Sequence, residues 1–215
     1  MAAVIILEVL RYRDGLQQLN GLVLSSVRFD DSLLVRLTSD TASLEAFAAA
    51  TALAYLADVL LHRSASYRLV SFATAIIFSM IVTAVLKAYV MEPRPHEPFV
   101  YYGVIGNLLN ADYFGFPSGH TVRVTVLAYY ALSEFKPRSR ALRYLAYASV
   151  PYAALIMATR LLLQVHWISD IIGGILVGVW SSMVVEGLGR GVWISIYNHT
   201  FGLARPLRLR GAPEY

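Results

Sequence analysis

Long apolar runs separated by short polar segments dominate the middle of the chain. Five of these runs approach or exceed the roughly 20 residues that an α-helix needs to cross a bilayer. They are Leu44 to Leu61, Tyr67 to Val90, His120 to Phe135 (the shortest), Ala141 to Leu163 and Trp167 to Leu188. The pattern predicts an all-α fold, an integral membrane helix bundle of about five transmembrane helices.

The first 40 residues follow a different pattern, because charged residues interrupt their apolar positions. Leu and Val recur there at roughly helical spacing, which predicts N-terminal amphipathic helices on the membrane surface or against the bundle. A short sixth span over residues 2–10 is the alternative. The expected organisation is an N-terminal amphipathic or interfacial segment (1–40), a transmembrane domain (41–190) and a C-terminal cytosolic tail (191–215).

The composition agrees with a membrane protein. Of the 215 residues, 57% are hydrophobic and 15% are charged, whereas a soluble domain carries about 25% charged residues. The mean hydropathy is +0.57. The chain has no cysteine, which excludes a disulfide framework and thiolate metal sites.

Basic residues predict the orientation of the bundle. The segment Lys136–Arg140, continued by Arg143, is the most basic short loop, and such loops face the cytosol. The loop around Arg63 and the Arg-rich C-terminus then lie on the same side. Alternation places the segments 91–118 and 160–166 on the extracytoplasmic side.

Three polar segments at the edges of the apolar runs carry the candidate chemistry. They are Lys87 with Arg94-Pro95, then Pro117-Ser118-Gly119-His120, then Arg160, His166 and Asp170. Charged residues and histidines are costly at such positions, so they indicate function. Together they supply three cations, two histidines and one carboxylate, the groups needed to hold a phosphate and cleave it by nucleophilic attack. The predicted orientation, which does not use these segments, places all three on one side.

In the third segment, His166 and Asp170 are spaced i, i+4 and are expected on one face of a helix, one turn apart. A carboxylate bound to one ring nitrogen fixes the tautomer and leaves the other nitrogen free to attack. The alternative is a buried His–Asp pair that only packs the bundle.

The second segment precedes an apolar helix, with Ser118 as its expected N-cap. Gly119 lets the backbone approach a ligand closely, and free N–H groups at a helix N-terminus bind anions. His120 is then expected beside the anion, placed to donate a proton. The alternative is a turn that caps a span and leaves a histidine at the interface.

Lys87 and Arg94 flank the end of the second span, where snorkelling toward the headgroups is the alternative. Their predicted location on the side that is poor in Lys and Arg favours phosphate binding, for which Arg offers a bidentate fork. Arg123 lies three residues after His120, on about the same helix face. It is either a contact to a second phosphate group or an arginine that snorkels to the outer interface.

Two histidines and one aspartate suggest a metal centre as an alternative. The surrounding lysine and arginine side chains argue against it, because they would repel a metal cation and already supply its positive charge. The sequence therefore predicts no metal in this site.

In this order, the three segments resemble the three-part signature of the type 2 phosphatidic acid phosphatase (PAP2) superfamily. The flanking spans fit its membrane lipid phosphate phosphatase branch. Thr159-Arg160 stands where the family usually has Ser-Arg, and the hydroxyl is retained. The N-terminus is a second departure, because the membrane branch often has a sixth span.

The resemblance implies roles for the three segments. The phosphate is expected to be cradled by the side chains of Lys87, Arg94 and Arg160, the backbone and hydroxyl of Ser118 and the amide of Gly119. No metal or other cofactor is expected.

The resemblance also implies a phosphohistidine mechanism. His166 is expected to attack phosphorus and Asp170 to orient it. His120 is expected to protonate the leaving oxygen and then to help activate water.

The sequence thus predicts a metal-independent phosphatase in the cell membrane, with its active site on the extracytoplasmic side, that hydrolyses a phosphomonoester or diphosphate of a lipid. The leading substrate is a polyisoprenyl diphosphate or monophosphate, followed by phosphatidic acid or phosphatidylglycerol phosphate. The expected partners are this lipid phosphate and the bilayer, with no nucleic acid, and no oligomeric state is predicted. Two alternatives are a lipid phosphotransferase with an acceptor other than water and a catalytically silent lipid-phosphate-binding protein.

Overall fold

The computed structural model describes residues 16–133, 140–201 and 207–211. In these ranges the helices are α1 (16–26), α2 (Leu33–Asp40), α3 (Leu44–His62), α4 (Tyr67–Val90), α5 (Val104–Leu109), α6 (Gly119–Ser133), α7 (Arg140–Leu162), α8 (Ile168–Glu186) and α9 (Arg190–Thr200). A 3₁₀ helix (Ala111–Tyr113) follows α5. Two short strands, β1 (Ala65–Ser66) and β2 (Leu209–Arg210), pair in parallel with Ala65 opposite Leu209. The predicted all-α class is confirmed.

Helices occupy all five positions predicted from the apolar runs, with ends within two residues of the prediction. Three of them, α3, α4 and α8, are long and apolar enough to cross a membrane. Helix α7 contains a shorter apolar stretch, Ala146–Leu162. The chain is an integral membrane helix bundle, and the count of five spans stays a prediction for α6 and α7.

Helix α6 forms the centre of the bundle. Val122, Val124, Val126 and Tyr130 are completely buried, and a helix that buries residues on all its sides must be surrounded by other helices. It packs against α4, α7 and α8. Since α6 begins at Gly119, directly after Ser118, the second polar segment lies at the end of this central helix.

Helix α8 approaches α6 closely because glycines face it. A Cβ on Gly174 would lie 2.8 Å from the Cβ of Thr121, and a Cβ on Gly178 would lie 2.7 Å from the Cβ of Thr125. Any larger residue would force the two helices apart. The small-residue pair therefore serves helix packing, and it brings the third polar segment, at the start of α8, next to the second.

A buried carboxylate ties the other end of the bundle together. Glu186, at the end of α8, accepts hydrogen bonds from Tyr67 and Ser71 of α4 and from Tyr130 of α6. Arg190 lies 3.3 Å from the same carboxylate. Because an unpaired buried charge is costly, these donors make Glu186 a stable junction between α4, α6 and α8.

Helices α1 and α2 pack against the bundle. The backbone N–H of Asp30, between them, donates to the carbonyl of Leu162 at the end of α7 (3.0 Å), and α2 lies along α7. Ser32 caps α2, since its hydroxyl accepts from Val35 N. Their location at the membrane surface stays a prediction, and residues 2–10, the alternative sixth span, lie outside the described residues.

The C-terminal segment contains helix α9 and strand β2. Trp193 and Tyr197 of α9 are buried, and β2 pairs with β1, which lies between α3 and α4. Its cytosolic location stays a prediction, as does that of the basic loop, of which residues 134–139 lie outside the described part of the chain.

Candidate active site

Residues from all three polar segments line one cavity at the N-terminal end of α6. The cavity has a volume of about 520 Å³, which falls in the usual range for small-molecule sites. The candidate residues that line it are Lys87, Arg94, Gly119, His120, Arg123, Arg160 and His166. Segments that are far apart in the sequence therefore come together in the fold.

His166 and Asp170 form a buried pair in which His166 lines the cavity and Asp170 does not. The distance from His166 Nδ1 to Asp170 Oδ2 is 3.0 Å, and the same carboxylate oxygen accepts from the backbone N–H of Trp167 at 2.9 Å. Asp170 is completely buried. The contact favours the tautomer with the proton on Nδ1, which leaves the lone pair of Nε2 free.

The surroundings of His166 also decide its charge. Burial, and then the positive charge of Arg160, lower the pKa of the His166 imidazole well below its ordinary value. Because a lowered pKa favours the neutral form, the imidazole keeps its free lone pair at neutral pH. A neutral imidazole is the form that acts as a nucleophile.

Three of the cations that line the cavity each make one side-chain hydrogen bond to the described part of the protein. Lys87 is buried and donates to the carbonyl of Phe114, Arg94 donates to the carbonyl of Asp112, and Arg160 Nη1 donates to Ser39 Oγ at 2.7 Å. The Nε atoms of both arginines are buried without a hydrogen-bond partner among the described residues. Unused donors on cations suit an anion with several oxygens.

Ser118 differs from the expectation. Its hydroxyl is buried and has no hydrogen-bond partner in the described part of the chain, so it does not form the predicted side-chain cap of α6. The backbone positions this residue instead, because its N–H donates to the carbonyl of Asp170 at 3.1 Å and its carbonyl accepts from Val122 N at 3.0 Å. The Ser118 hydroxyl is therefore not used by the helix end.

Arg123 lines the cavity but is also bound to the protein. Its Nε donates to the carbonyl of Ala42 at 2.8 Å, and its Nη1 lies 3.3 Å from Met80 Sδ. The side chain therefore links α6 to the turn between α2 and α3. Its contact with a second phosphate group stays a prediction.

Sequence reasoning missed two polar residues of the N-terminal helices that brace the site. Ser39 of α2 binds Arg160, which is 121 residues away. Asn20 of α1 binds Ser169, which is 149 residues away: Asn20 Nδ2 donates to Ser169 Oγ at 2.9 Å, and Ser169 N donates to Asn20 Oδ1 at 3.1 Å. The sequence does show a polar residue on a mainly apolar helix in each case. No pattern in the sequence indicates which distant residue it binds.

We expect the Asn20→Ala variant to lower kcat roughly tenfold with little change in KM. The truncation leaves buried polar groups of Ser169 unpaired, at a cost of about 1–3 kcal/mol, and loosens the turn that carries His166. Steady-state kinetics on a lipid phosphate measure the effect, with exposed Gln18→Ala on the same helix as the control. An unchanged kcat in Asn20→Ala would show that α1 does not position His166.

Comparison with known proteins identifies the family. The family model of the PAP2 superfamily matches residues 68–188, a range that covers more than half of the chain and contains all three polar segments. The chain belongs to the PAP2 superfamily, which confirms the resemblance seen in the sequence.

Two solved structures share the fold. One is the first transmembrane PAP2-type phosphatidylglycerolphosphate phosphatase from Bacillus subtilis, with a TM-score of 0.65 and 17% identity over 88% of this chain and 96% of that chain. The other is LpxE from Aquifex aeolicus, with a TM-score of 0.54 and 18% identity over 78% of this chain and 92% of that chain. The comparison with curated proteins finds no match. The chain therefore has the fold of membrane PAP2 proteins.

Proposed function

We propose that this chain is a metal-independent membrane phosphatase that hydrolyses a phosphomonoester or diphosphate of a lipid. The observation that carries the proposal is the His166–Asp170 pair (3.0 Å), whose histidine lines the same cavity as Lys87, Arg94 and Arg160. A binding protein needs the cations, but it does not need a neutral histidine with an orienting carboxylate. Membership of the PAP2 superfamily supports the same function.

In the proposed reaction the phosphate binds between the three cations and the N-terminus of α6. His166 Nε2 forms a bond to phosphorus, the bond from phosphorus to the leaving oxygen breaks, and His120 gives its proton to that oxygen. Asp170 holds Nδ1–H and stabilises the positive charge that develops on the ring. In the second step His120 takes a proton from water as the water oxygen forms a bond to phosphorus. The bond from phosphorus to Nε2 breaks, its electron pair returns to the ring, and inorganic phosphate and neutral His166 are released.

The cationic site acts electrostatically in this reaction. Negative charge grows on the phosphoryl oxygens as the bonds change, and preorganised donors in a site with little water stabilise it strongly. The amide of Gly119, at the N-terminus of α6, adds an uncharged donor to this cradle. Ser118 directly precedes Gly119 but does not line the cavity, so its contact with the phosphate stays a prediction.

A lipid substrate is supported by the lining of the cavity as well as by the membrane fold. Apolar side chains of α3, α4 and α5 line it beside the cations, namely Leu44, Met80, Ala84, Leu108 and Leu109. A charged headgroup with an attached hydrocarbon chain matches this combination. We rank a polyisoprenyl diphosphate or monophosphate first, then phosphatidic acid and phosphatidylglycerol phosphate.

The purified full-length chain is expected to release inorganic phosphate from at least one of these lipids in the presence of a chelator. Vanadate is expected to inhibit, because it adopts the five-coordinate shape of the transition state among the same cations. Phosphate release is measured across the lipid panel with and without EDTA, with a metal-dependent phosphatase treated in parallel. Full loss of activity in EDTA that a divalent ion restores would refute metal independence.

We also propose that the protein lies in the cell membrane with the cavity on the extracytoplasmic side. The basic residues of the segment 136–143 and of the C-terminus support this orientation. The cavity lies at the end of the bundle where α4 ends and α6 and α8 begin. Strands β1 and β2 lie at the other end, where α3 ends and α4 begins.

The orientation is tested with single cysteines, since the chain has none of its own. Val104, on α5, is 80% exposed, so Val104→Cys is expected to react with an impermeant maleimide added outside intact cells. Arg208→Cys, at an exposed position before β2, is expected to react only after the cells are opened. Labelling of Arg208→Cys from outside, with Val104→Cys protected, would place the cavity on the cytosolic side.

A further inference from the structure

Thr83 is a cavity residue to which neither the sequence motifs nor the proposed mechanism gives a role. It lies one turn before Lys87 on α4 and lines the same cavity. The residue is 4% exposed, and its hydroxyl has no hydrogen-bond partner in the described ranges. Buried hydroxyls are nearly always hydrogen-bonded. We therefore expect the hydroxyl of Thr83 to bond to a molecule that occupies the cavity.

Two other hydroxyls of the same helix bond to the backbone. Thr74 Oγ1 donates to the carbonyl of Val70, and Ser79 Oγ donates to the carbonyl of Ile76, each at 2.9 Å. The hydroxyl of Thr83 does not make such a bond. The remaining buried hydroxyls without a partner in the described chain do not line the cavity; they are those of Ser118, Thr121, Thr125 and Ser181. Thr83 therefore combines an unused hydroxyl with access to the site.

The neighbours of Thr83 locate it within the site. A Cβ built on Gly119 would lie 4.0 Å from Thr83 Cγ2 and 3.4 Å from Arg123 Nη1. Thr83 and Arg123 thus both lie beside the first turn of α6, which also carries His120, the proposed acid for the leaving oxygen. A hydroxyl and a guanidinium are both hydrogen-bond donors. This wall of the cavity therefore lies beside the turn that carries His120, the residue proposed to protonate the leaving oxygen.

We propose that Thr83 is a specificity-determining residue whose hydroxyl donates a hydrogen bond to an oxygen of the leaving group, beyond the bond that is cleaved. The assignment rests on the proposed phosphatase function and deepens it. Two kinds of lipid offer such an acceptor oxygen: the second phosphate of a polyisoprenyl diphosphate and the ester oxygens of a glycerophospholipid. Met80 and Ala84, next to Thr83 on α4, line the same cavity and suit the hydrocarbon that follows.

The test compares two variants of the full-length protein. Thr83→Val removes the hydroxyl at nearly constant volume, and Thr83→Ser keeps it. kcat/KM is measured on a polyisoprenyl diphosphate, on phosphatidic acid and on phenyl phosphate, whose leaving group has no oxygen beyond the one that is cleaved. Thr74→Val, which removes a hydroxyl that is bound to the backbone of the same helix, is the matched control.

We expect Thr83→Val to lower the ratio of lipid to phenyl phosphate kcat/KM by roughly three- to tenfold, the range for one neutral hydrogen bond. Thr83→Ser is expected to restore the ratio, and Thr74→Val to leave it unchanged. If kcat/KM falls on the diphosphate alone, the acceptor is an oxygen of the second phosphate. If it falls on phosphatidic acid alone, the acceptor is an ester oxygen. If it falls on both lipids, Thr83 bonds to the leaving group of each.

Three results would overturn the assignment of Thr83 while leaving the phosphatase proposal in place. They are a Thr83→Val variant with unchanged kcat/KM on every substrate, an equal loss on all three substrates, which also leaves the ratio unchanged, and a Thr83→Ser variant that lowers the ratio as much as Thr83→Val. A wild-type protein that releases no phosphate from any of the three substrates would instead refute the proposed function, and the assignment of Thr83 with it.

Discussion

The His166→Ala variant is expected to lose turnover by roughly a thousandfold or more, the scale on which an enzyme falls when its nucleophile is removed. Vanadate binding is expected to persist, because Lys87, Arg94 and Arg160 remain in the cavity. This separation of binding from chemistry distinguishes a nucleophile from one more phosphate ligand. Phosphate release gives the rate, and titration calorimetry with vanadate gives the affinity.

Two further variants keep this result interpretable. His199→Ala removes an exposed histidine of α9 and is expected to retain full activity. His166→Gln retains a polar side chain in the buried site, so it separates lost chemistry from lost folding. More than a few per cent of the wild-type rate in both His166 variants would show that no phosphohistidine forms.

The Asp170→Asn variant is expected to lower kcat by roughly 10³–10⁴-fold, the loss seen when the orienting carboxylate of a catalytic histidine is made neutral. Asp170 Oδ2 accepts from both His166 Nδ1 and Trp167 N. An amide oxygen keeps the shape of this contact, but it does not stabilise the positive charge that the imidazole gains as phosphorus is attacked. KM is expected to change much less than kcat.

Steady-state kinetics and a rapid-quench measurement of phosphoenzyme formation check this expectation. Asp31→Asn, which neutralises an exposed carboxylate paired with Arg36, serves as the control. It is expected to change neither kcat nor the rate of phosphoenzyme formation. If Asp170→Asn kept kcat within tenfold of the wild type, the His–Asp pair would be a packing contact, as the alternative interpretation of the sequence holds.

The helices were predictable because the signals that define them are local. A run of about 20 apolar residues between polar segments indicates a membrane helix whatever surrounds it, and α4 begins and ends where the sequence placed it. The prolines after Met91 likewise predict that no regular helix continues there. The cap was less predictable: Ser118 has the right residue type and position, but its hydroxyl has no partner among the described residues, and its backbone N–H donates to the carbonyl of Asp170.

The three motifs were also recognisable, since their residue types and short spacings carry the chemistry. The i, i+4 spacing of His166 and Asp170 predicts a contact along one helix, and the structure has it at 3.0 Å. Arg123 shows where this reasoning stops. Its spacing from His120 predicts the face of α6 on which it lies, but its bonds to Ala42 and Met80 depend on how other helices pack.

The sequence by itself determined the helical class, the positions of the main helices and the residues of the three motifs. Only the tertiary structure decided that these motifs line one cavity, that Asn20 binds Ser169 and Ser39 binds Arg160, and that Thr83 lines the cavity with a hydroxyl that has no partner among the described residues. The physical reason is that helix formation depends on neighbours within a few residues. A contact across more than a hundred residues depends on side-chain volumes at every interface between them, such as the glycines that let α8 approach α6.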